Sequence, residues 1–229
     1  MIRVAMMLLF LLPSAASAAD RTVGVGSFER LRVEGAFRVT VTAGPPRATV
    51  SGDRRTVDEV EVRADGGTLV VRMGANGWGE QPVAAGAPLT VTLSTPALVS
   101  ATVIGGAQVT VDRMKGQRVD VSVSGTGGLA LTGVDADQLN ATVIGSASVT
   151  AAGRAAKARL LTNGPGTIDA GALVADDLFV RLDGAGETRA QARFTAQVVN
   201  TGLGRVTVVG NAKCSVKAVA GLVSCGPKL

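Results

Sequence analysis

Glycine recurs at nearly constant spacing through the second half of this sequence, and a five-residue segment repeats with it. The segment Ala101–Gly105 reads Ala-Thr-Val-Ile-Gly and recurs letter for letter as Ala141–Gly145, forty residues later. Half of that interval gives the repeating unit, because successive glycines are 20, 20, 19, 20, 18 and 19 residues apart: Gly105, Gly125, Gly145, Gly164, Gly184, Gly202 and Gly221. Such a repeat indicates one supersecondary unit stacked many times.

Residues on both sides of each glycine alternate between apolar and mixed positions. Aligned on the glycines, three positions are mostly apolar: six residues before, two residues before and four residues after. They hold, in turn, Val99, Val119, Leu139, Ala158, Leu178 and Ala196; Val103, Val123, Val143, Thr162, Leu182, Asn200 and Val219; and Val109, Leu129, Val149, Ile168, Thr188, Val206 and Cys225. In the last repeat, Ser215 takes the first of these positions and Val216 follows it. The period of two predicts strand, bend and strand, with one face directed inward.

These patterns predict an all-β fold, a single-stranded right-handed parallel β-helix of about seven turns, or rungs. One rung cannot bury its own apolar face, but similar rungs stacked ~4.8 Å apart satisfy the backbone hydrogen bonds and form a continuous core. The composition agrees, since 30 Gly, one Trp and no Tyr suit narrow, closely stacked sheets. We expect regular rungs over residues 99–229 and an irregular β section over residues 20–98. That section is either continuous with the β-helix or a packed cap domain.

Residues 1–19 have the pattern of a secretory signal peptide. Arg3 supplies a positive charge, Val4–Leu12 is a short apolar run, and small residues lead to a cleavage site after Ala18 or Ala19. No later segment has the ~18 uncharged apolar residues that a membrane-spanning helix needs. We therefore expect a periplasmic or secreted protein with no transmembrane span after signal removal.

Cys214 and Cys225 are the only cysteines. In an oxidising compartment, an even pair this close in sequence is expected to form a disulfide, which we place as a cap on the last rung.

Removing Arg3 with the signal leaves 22 basic and 18 acidic residues, a net charge of +4 that we interpret as dispersed. Without a cluster of basic residues, nucleic acid is not an expected partner.

Four segments resemble a known bacterial family. They are Ser27–Gly35 (Ser-Phe-Glu-Arg-Leu-Arg-Val-Glu-Gly), the hydrophobic strand that ends in Gly44, Gly66–Leu69 (Gly-Gly-Thr-Leu) and Pro96–Leu98 (Pro-Ala-Leu), which leads into the glycine-containing rungs. Over about residues 22–226 the chain is similar to the auto-transporter adhesin head GIN domain family. The resemblance implies an exported, adhesin-like protein. Its motifs are structural, so it carries over no catalytic residues.

The sequence excludes several kinds of catalytic site. It contains no His, so a Ser-His-Asp triad and a His-based metal site are absent, and we expect no metal or cofactor. The remaining candidate pair is Asp137 and Asp176, which share a position two rungs apart. Their expected separation is about 9–10 Å, near the upper end of the range for inverting glycosidases. The alternative is a solvated corner where opposite charges alternate along the stack.

Trp78 lies in a Gly-, Pro- and Ala-rich segment, residues 74–88. An indole there either stacks on a sugar or enters a partner's pocket, or else it plugs one end of the core.

We interpret the chain as a non-enzymatic, adhesin-like envelope protein that binds envelope polysaccharide or a surface protein through exposed rung faces. The alternative is a polysaccharide hydrolase or lyase that uses Asp137 and Asp176. The sequence leaves the oligomeric state open.

Overall fold

The computed structural model describes residues 18–74 and 89–226. The N-terminal section contains β1 (Ala18–Val23), β2 (Arg30–Gly35), β3 (Arg38–Ala43), β4 (Arg47–Asp53), α1 (Arg54–Glu59), β5 (Val60–Asp65), β6 (Thr68–Met73) and β7 (Thr90–Thr95). The repeat region contains β8 (Ser100–Gly105), β9 (Gln108–Val111), β10 (Met114–Gly125), β11 (Gly128–Gly145), β12 (Ser148–Asn163), β13 (Thr167–Asp183), β14 (Glu187–Asn200), β15 (Arg205–Val209), β16 (Lys213–Ala218) and β17 (Leu222–Gly226).

The strands form one 17-stranded sheet that coils around a single apolar core. On the first face, the parallel order is β2, β8, β10, β11, β12, β13, β14 and β16. On the second face, it is β3, β9, β11, β12, β13, β14, β15 and β17. The long strands β11 to β14 belong to both faces, because each bends and pairs again. The predicted all-β parallel β-helix is confirmed.

The N-terminal section is continuous with the β-helix rather than a separate cap domain. β2 pairs in parallel with both β6 and β8, and β3 pairs in parallel with both β7 and β9. The rung that contains Gly35 therefore lies inside the stack, although it precedes β6 and β7 in the chain. Outside it, β4 pairs antiparallel with β7, β5 with β6, and β1 with β4. These antiparallel strands, with α1 packed on β1 and β4, cover the N-terminal end of the stack.

The inward positions predicted from the repeat form the core in most rungs. Val103, Val123, Val143 and Leu182 are each at most 1% exposed. The strand registers stack Val103 on Val123 and Val123 on Val143, so each apolar side chain contacts its equivalent in the next rung. The residues on either side of these core residues in each strand point outward and are at least partly exposed. The alternation read from the sequence is therefore the alternation of core and surface.

The first strand of the last rung departs from the predicted alignment. Ala196 pairs with Cys214 and not with Ser215, so only 18 residues separate equivalent positions here. Val219, predicted to point inward, is 80% exposed. Because most residues of β16 are exposed, this rung does not enclose a core of its own. The β-helix makes about six turns, one fewer than the repeat predicts.

The second strand of the last rung is shifted further. Val206 pairs with Val223, and Cys225 pairs with Val208 rather than taking the position predicted for it. The cause is a shorter corner, since residues 219–221 connect the two strands of this rung whereas four residues connect β14 with β15. Cys225 still continues an inward column, because Val208 is 2% exposed.

Two buried hydroxyls face each other inside the core. Thr162 Oγ1 and Thr188 Oγ1 are 3.1 Å apart, and both residues are at most 2% exposed. Thr162→Val leaves the Thr188 hydroxyl without this partner, so we expect it to lower the free energy of unfolding by about 1–3 kcal/mol. Changing both residues to Val removes both hydroxyls and is expected to recover most of that loss. Urea denaturation measures both values; strictly additive losses would contradict a direct hydrogen bond.

Candidate functional site

A shallow groove of about 740 Å³ runs along a third face of the β-helix. Short segments form this face where the chain passes from the second face of one rung to the first face of the next. The register aligns Lys115 with Asp135 and Asp135 with Arg154, one residue from each rung. The charged residues that line the groove are Lys115, Asp135, Asp137, Arg154, Asp176 and Arg193.

Asp135 lies between two cations that belong to the neighbouring rungs. Its Oδ2 is 3.4 Å from Lys115 Nζ, and its Oδ1 accepts a hydrogen bond from Arg154 Nε at 2.9 Å. The hydrogen bonds from Arg154 and then Lys115 lower the pKa of Asp135, and the Asp135 carboxylate raises the pKa of Arg154. Asp135 is therefore ionised at neutral pH and acts as a hydrogen-bond acceptor rather than as a general acid.

The structure brings the predicted pair Asp137 and Asp176 to this same groove. These residues directly follow Ala136 and Ala175, which stack on each other through Ala155. The two carboxylates therefore lie two rungs apart, as predicted. Asp176 is ion-paired with an arginine, which favours the corner of alternating charges over a catalytic carboxylate pair.

Arg193 connects the groove to an exposed aromatic ring. Its Nη1 donates a hydrogen bond to Asp176 Oδ1 at 3.0 Å, and its guanidinium carbon lies 4.9 Å from the centroid of the Phe194 ring. Phe194 is 58% exposed and, with Arg193, lines a smaller groove of about 390 Å³. A ring held by a guanidinium presents an apolar face on which a sugar can stack.

Sequence reasoning did not single out Arg154, Arg193 or Phe194. A signal existed for Arg154, because Lys115, Asp135 and Arg154 follow one another at intervals of 20 and 19 residues, the period of the repeat. Opposite charges at that spacing face each other on adjacent parallel strands. For Phe194 the sequence offers only an aromatic residue beside an arginine, which does not reveal its exposure.

The other predicted site residues have different outcomes. Trp78 lies outside the described residues, and its role stays a prediction. The predicted disulfide is present: Cys214 and Cys225 are bonded, with their Cα atoms 6.4 Å apart. Within residues 18–74 and 89–226, no group of three or more Cys, Asp or Glu is placed to hold a metal ion. The same part of the chain contains no helix long and apolar enough to cross a membrane.

Arg154→Gln is expected to raise the pKa of Asp135. The carboxylate loses the guanidinium that lowers its pKa most, while the Lys115 ammonium remains beside it. Carboxyl-detected NMR across the acidic range measures the pKa. Arg181→Gln is the matched control, since Arg181 pairs with Asp183 at 2.7 Å and its removal should raise only the pKa of Asp183. An unchanged Asp135 pKa in Arg154→Gln would contradict the ion pair.

Several solved bacterial structures share this fold. One is "a putative adhesin" from Bacteroides fragilis NCTC 9343, with a TM-score of 0.82 and 19% identity, covering 91% of this chain and 97% of that chain. Another is a "putative adhesin" from Parabacteroides distasonis ATCC 8503, with a TM-score of 0.71 and 16% identity over 92% and 97% of the two chains. A "putative lipid binding protein" from the same organism has a TM-score of 0.69 and 15% identity over 93% and 97%. At these identities the likeness shows the fold alone.

The family of the chain is shown by sequence. No curated protein matches the chain. A family model does match, over residues 27–212, which is well over half of the chain and includes all four segments that carry the resemblance. The chain belongs to the family described as "Putative auto-transporter adhesin, head GIN domain".

Proposed function

We propose that this chain is an exported, non-enzymatic, adhesin-like protein of the bacterial envelope that binds a surface polysaccharide along the third face of its β-helix. The family description supports this class of function, and two structures with the same fold carry the description "putative adhesin". Export is supported by the signal-peptide pattern of residues 1–19.

The observation that carries the proposal is the groove with its row of paired charges. Lys115, Asp135 and Arg154 lie on three successive rungs, separated by the strand spacing of ~4.8 Å, and supply two hydrogen-bond donors and one acceptor. A polymer with regularly spaced hydroxyl and charged groups can exchange hydrogen bonds with several rungs at once. Weak contacts repeated along one chain then add up to useful affinity. The exposed ring of Phe194, near one end of this row, adds a stacking surface.

The groove is also the place where a polysaccharide hydrolase or lyase would work, because Asp137 and Asp176 both line it. The ion pair of Asp176 is the observation against this second candidate. Asp137→Ala with Asp176→Ala separates the two functions. Turnover of a bound glycan that disappears in this variant would identify an enzyme, whereas binding without turnover in both proteins supports the adhesin-like function.

The experiment that tests the proposal is co-sedimentation of the mature protein with isolated envelope polysaccharide and envelope fractions at one fixed, near-physiological salt concentration. Salt is fixed because a positive protein adsorbs weakly to many anionic surfaces. We expect saturable binding. The double substitution Arg154→Ala with Phe194→Ala should lower the affinity by about tenfold, because it removes a hydrogen-bonded cation and a stacking contact.

Arg32→Ala is the matched control for this experiment. Arg32 is also an exposed arginine with a carboxylate partner, Glu34, but it belongs to β2 on the first face. It should leave binding unchanged. Absence of saturable binding to every fraction, or equal losses in the groove variant and the control, would contradict the proposal.

A further inference from the structure

The net positive charge of this chain is concentrated in its C-terminal segment and is not dispersed as we expected from the sequence. Residues 188–229 contain six basic residues and no Asp or Glu: Arg189, Arg193, Arg205, Lys213, Lys217 and Lys228. The remaining residues, 1–187, contain 17 basic and 18 acidic residues, since 23 less 6 is 17, a net charge of −1. The whole net charge of +5 therefore comes from residues 188–229.

The same end of the molecule exposes apolar side chains. Leu203 is 78% exposed, Val219 80%, Leu222 64% and Val216 45%. We call these four residues, with the flanking Arg205, Lys213 and Lys217, the C-terminal tip. Scattered exposed apolar residues are ordinary on a protein surface, but four of the six large exposed apolar residues in the described part of the chain fall within twenty residues of each other here.

Strand pairing places three of these apolar residues around one corner of the last two rungs. Leu203 lies at the corner between β14 and β15, and Val219 lies at the equivalent corner one rung later, between β16 and β17. Leu222 pairs directly with Arg205, and its backbone N–H donates a hydrogen bond to Gly204 O at 3.2 Å. Leu203, Val219 and Leu222 therefore lie around this corner, with Arg205 beside Leu222, while Val216 lies in β16 of the same last rung.

Two features hold the tip in this conformation. The disulfide between Cys214 and Cys225 joins β16 to β17, so the two strands of the exposed rung cannot separate. In the rung before it, the buried Asn200 side chain donates a hydrogen bond to Gly204 O at 2.9 Å and accepts one from the Gly202 N–H at 3.2 Å. The exposed apolar residues thus belong to a fixed surface and are not a frayed end.

We propose that the C-terminal tip binds the surface of an anionic phospholipid bilayer. An apolar patch flanked by Lys and Arg matches the two properties of such a surface, an acyl region that accepts apolar side chains and headgroups that carry negative charge. The proposal goes beyond the binding of a polysaccharide in the groove, because the tip lies at the end of the stack and shares no residue with the groove.

Charge argues against a second copy of the chain as the occupant. Two tips placed against each other would bring Arg205, Lys213 and Lys217 of both copies together, with one acidic neighbour, Glu187, aligned with Arg205 on the adjacent strand. Stacking of the tip on the opposite end of another copy gains no general attraction either. The elements that cover that end, β1, β4 to β7 and α1, contain six basic and six acidic residues.

The proposal is tested by co-sedimentation of the mature protein with vesicles of phosphatidylcholine alone and of phosphatidylcholine mixed with phosphatidylglycerol. We expect binding to the anionic vesicles only, weakening as salt is raised. Lys213→Gln with Lys217→Gln should reduce the partition coefficient by about thirty-fold at low salt. Leu203→Ser with Val219→Ser should reduce it by about tenfold.

Ile144→Ser is the matched control, because Ile144 is an apolar residue that is 47% exposed and lies in β11, far from the tip in the stack. It should bind vesicles like the unchanged protein. Equal binding to neutral and anionic vesicles, no binding to either, or equal losses in Ile144→Ser and the tip variants would overturn the proposal. Sedimentation of the protein alone distinguishes the remaining case: self-association lost in Leu203→Ser with Val219→Ser would assign the tip to a second copy and also overturn it.

Discussion

Gly184→Ala is expected to lower the free energy of unfolding by about 3–5 kcal/mol. Gly184 has φ of +138°, a backbone conformation that side chains strongly disfavour. A β-carbon there would also lie 2.6 Å from the carbonyl oxygen and 2.9 Å from the Cα of Gly164 in the rung below. Both neighbours are backbone atoms of a paired layer, so they cannot move without opening the hydrogen bonds between rungs. Chemical denaturation measures the loss.

Gly66→Ala is the control that separates backbone strain from close contact. Gly66 also has a positive φ, +52°, but an added β-carbon would meet nothing within 4 Å. We expect it to cost only about 1–2 kcal/mol. A similar loss in Gly66→Ala and Gly184→Ala would contradict close contact between stacked glycines as the reason that glycine recurs at the bend.

Changing Cys214 and Cys225 together to serine is expected to lower the free energy of unfolding by about 2–3 kcal/mol, the value for closing a loop of this length in the unfolded chain. The bond spans 11 residues and joins the last members of two inward columns, after Ala196 and Val208. Without it, the last rung has little buried surface to hold it in place.

The measurement is urea denaturation of the oxidised protein and the double serine variant, each with and without a reducing agent. Reductant should destabilise the unchanged protein to the level of the variant and leave the variant unaffected. An oxidised protein that is no more stable than the variant would contradict the role of the disulfide as an end cap.

The fold could be predicted because its determinants are local and repeated. Each rung places glycine at the bend and apolar residues such as Val103 and Leu129 on alternate positions around it, and both signals recur about six times. The order of the N-terminal rungs could not be predicted in this way. Since β2, β6 and β8 all show the same alternation, any of them could pair with any other, and their order depends on long-range packing.

The strand pairing of the last rung could not be predicted from the repeat either. An alignment on Gly221 assumes a full-length corner, whereas the chain shortens there and moves Cys214 and Cys225 to other partners. The candidate site was partly predictable: Asp137 and Asp176 do share a groove, because the repeat period fixes which residues stack. The ion pairs around Asp135 and the exposure of Phe194 depend on side-chain positions that a spacing does not define.

Chemical-shift mapping with the envelope polysaccharide that co-sediments with the protein shows directly which face of the β-helix binds it. We expect saturable shifts of backbone amides on the third face, including those of Asp135, Arg154 and Arg193, with little change on the first face around Ile144. Saturable shifts confined to the first or second face, or none at polysaccharide concentrations that sediment the protein, would contradict binding along the groove.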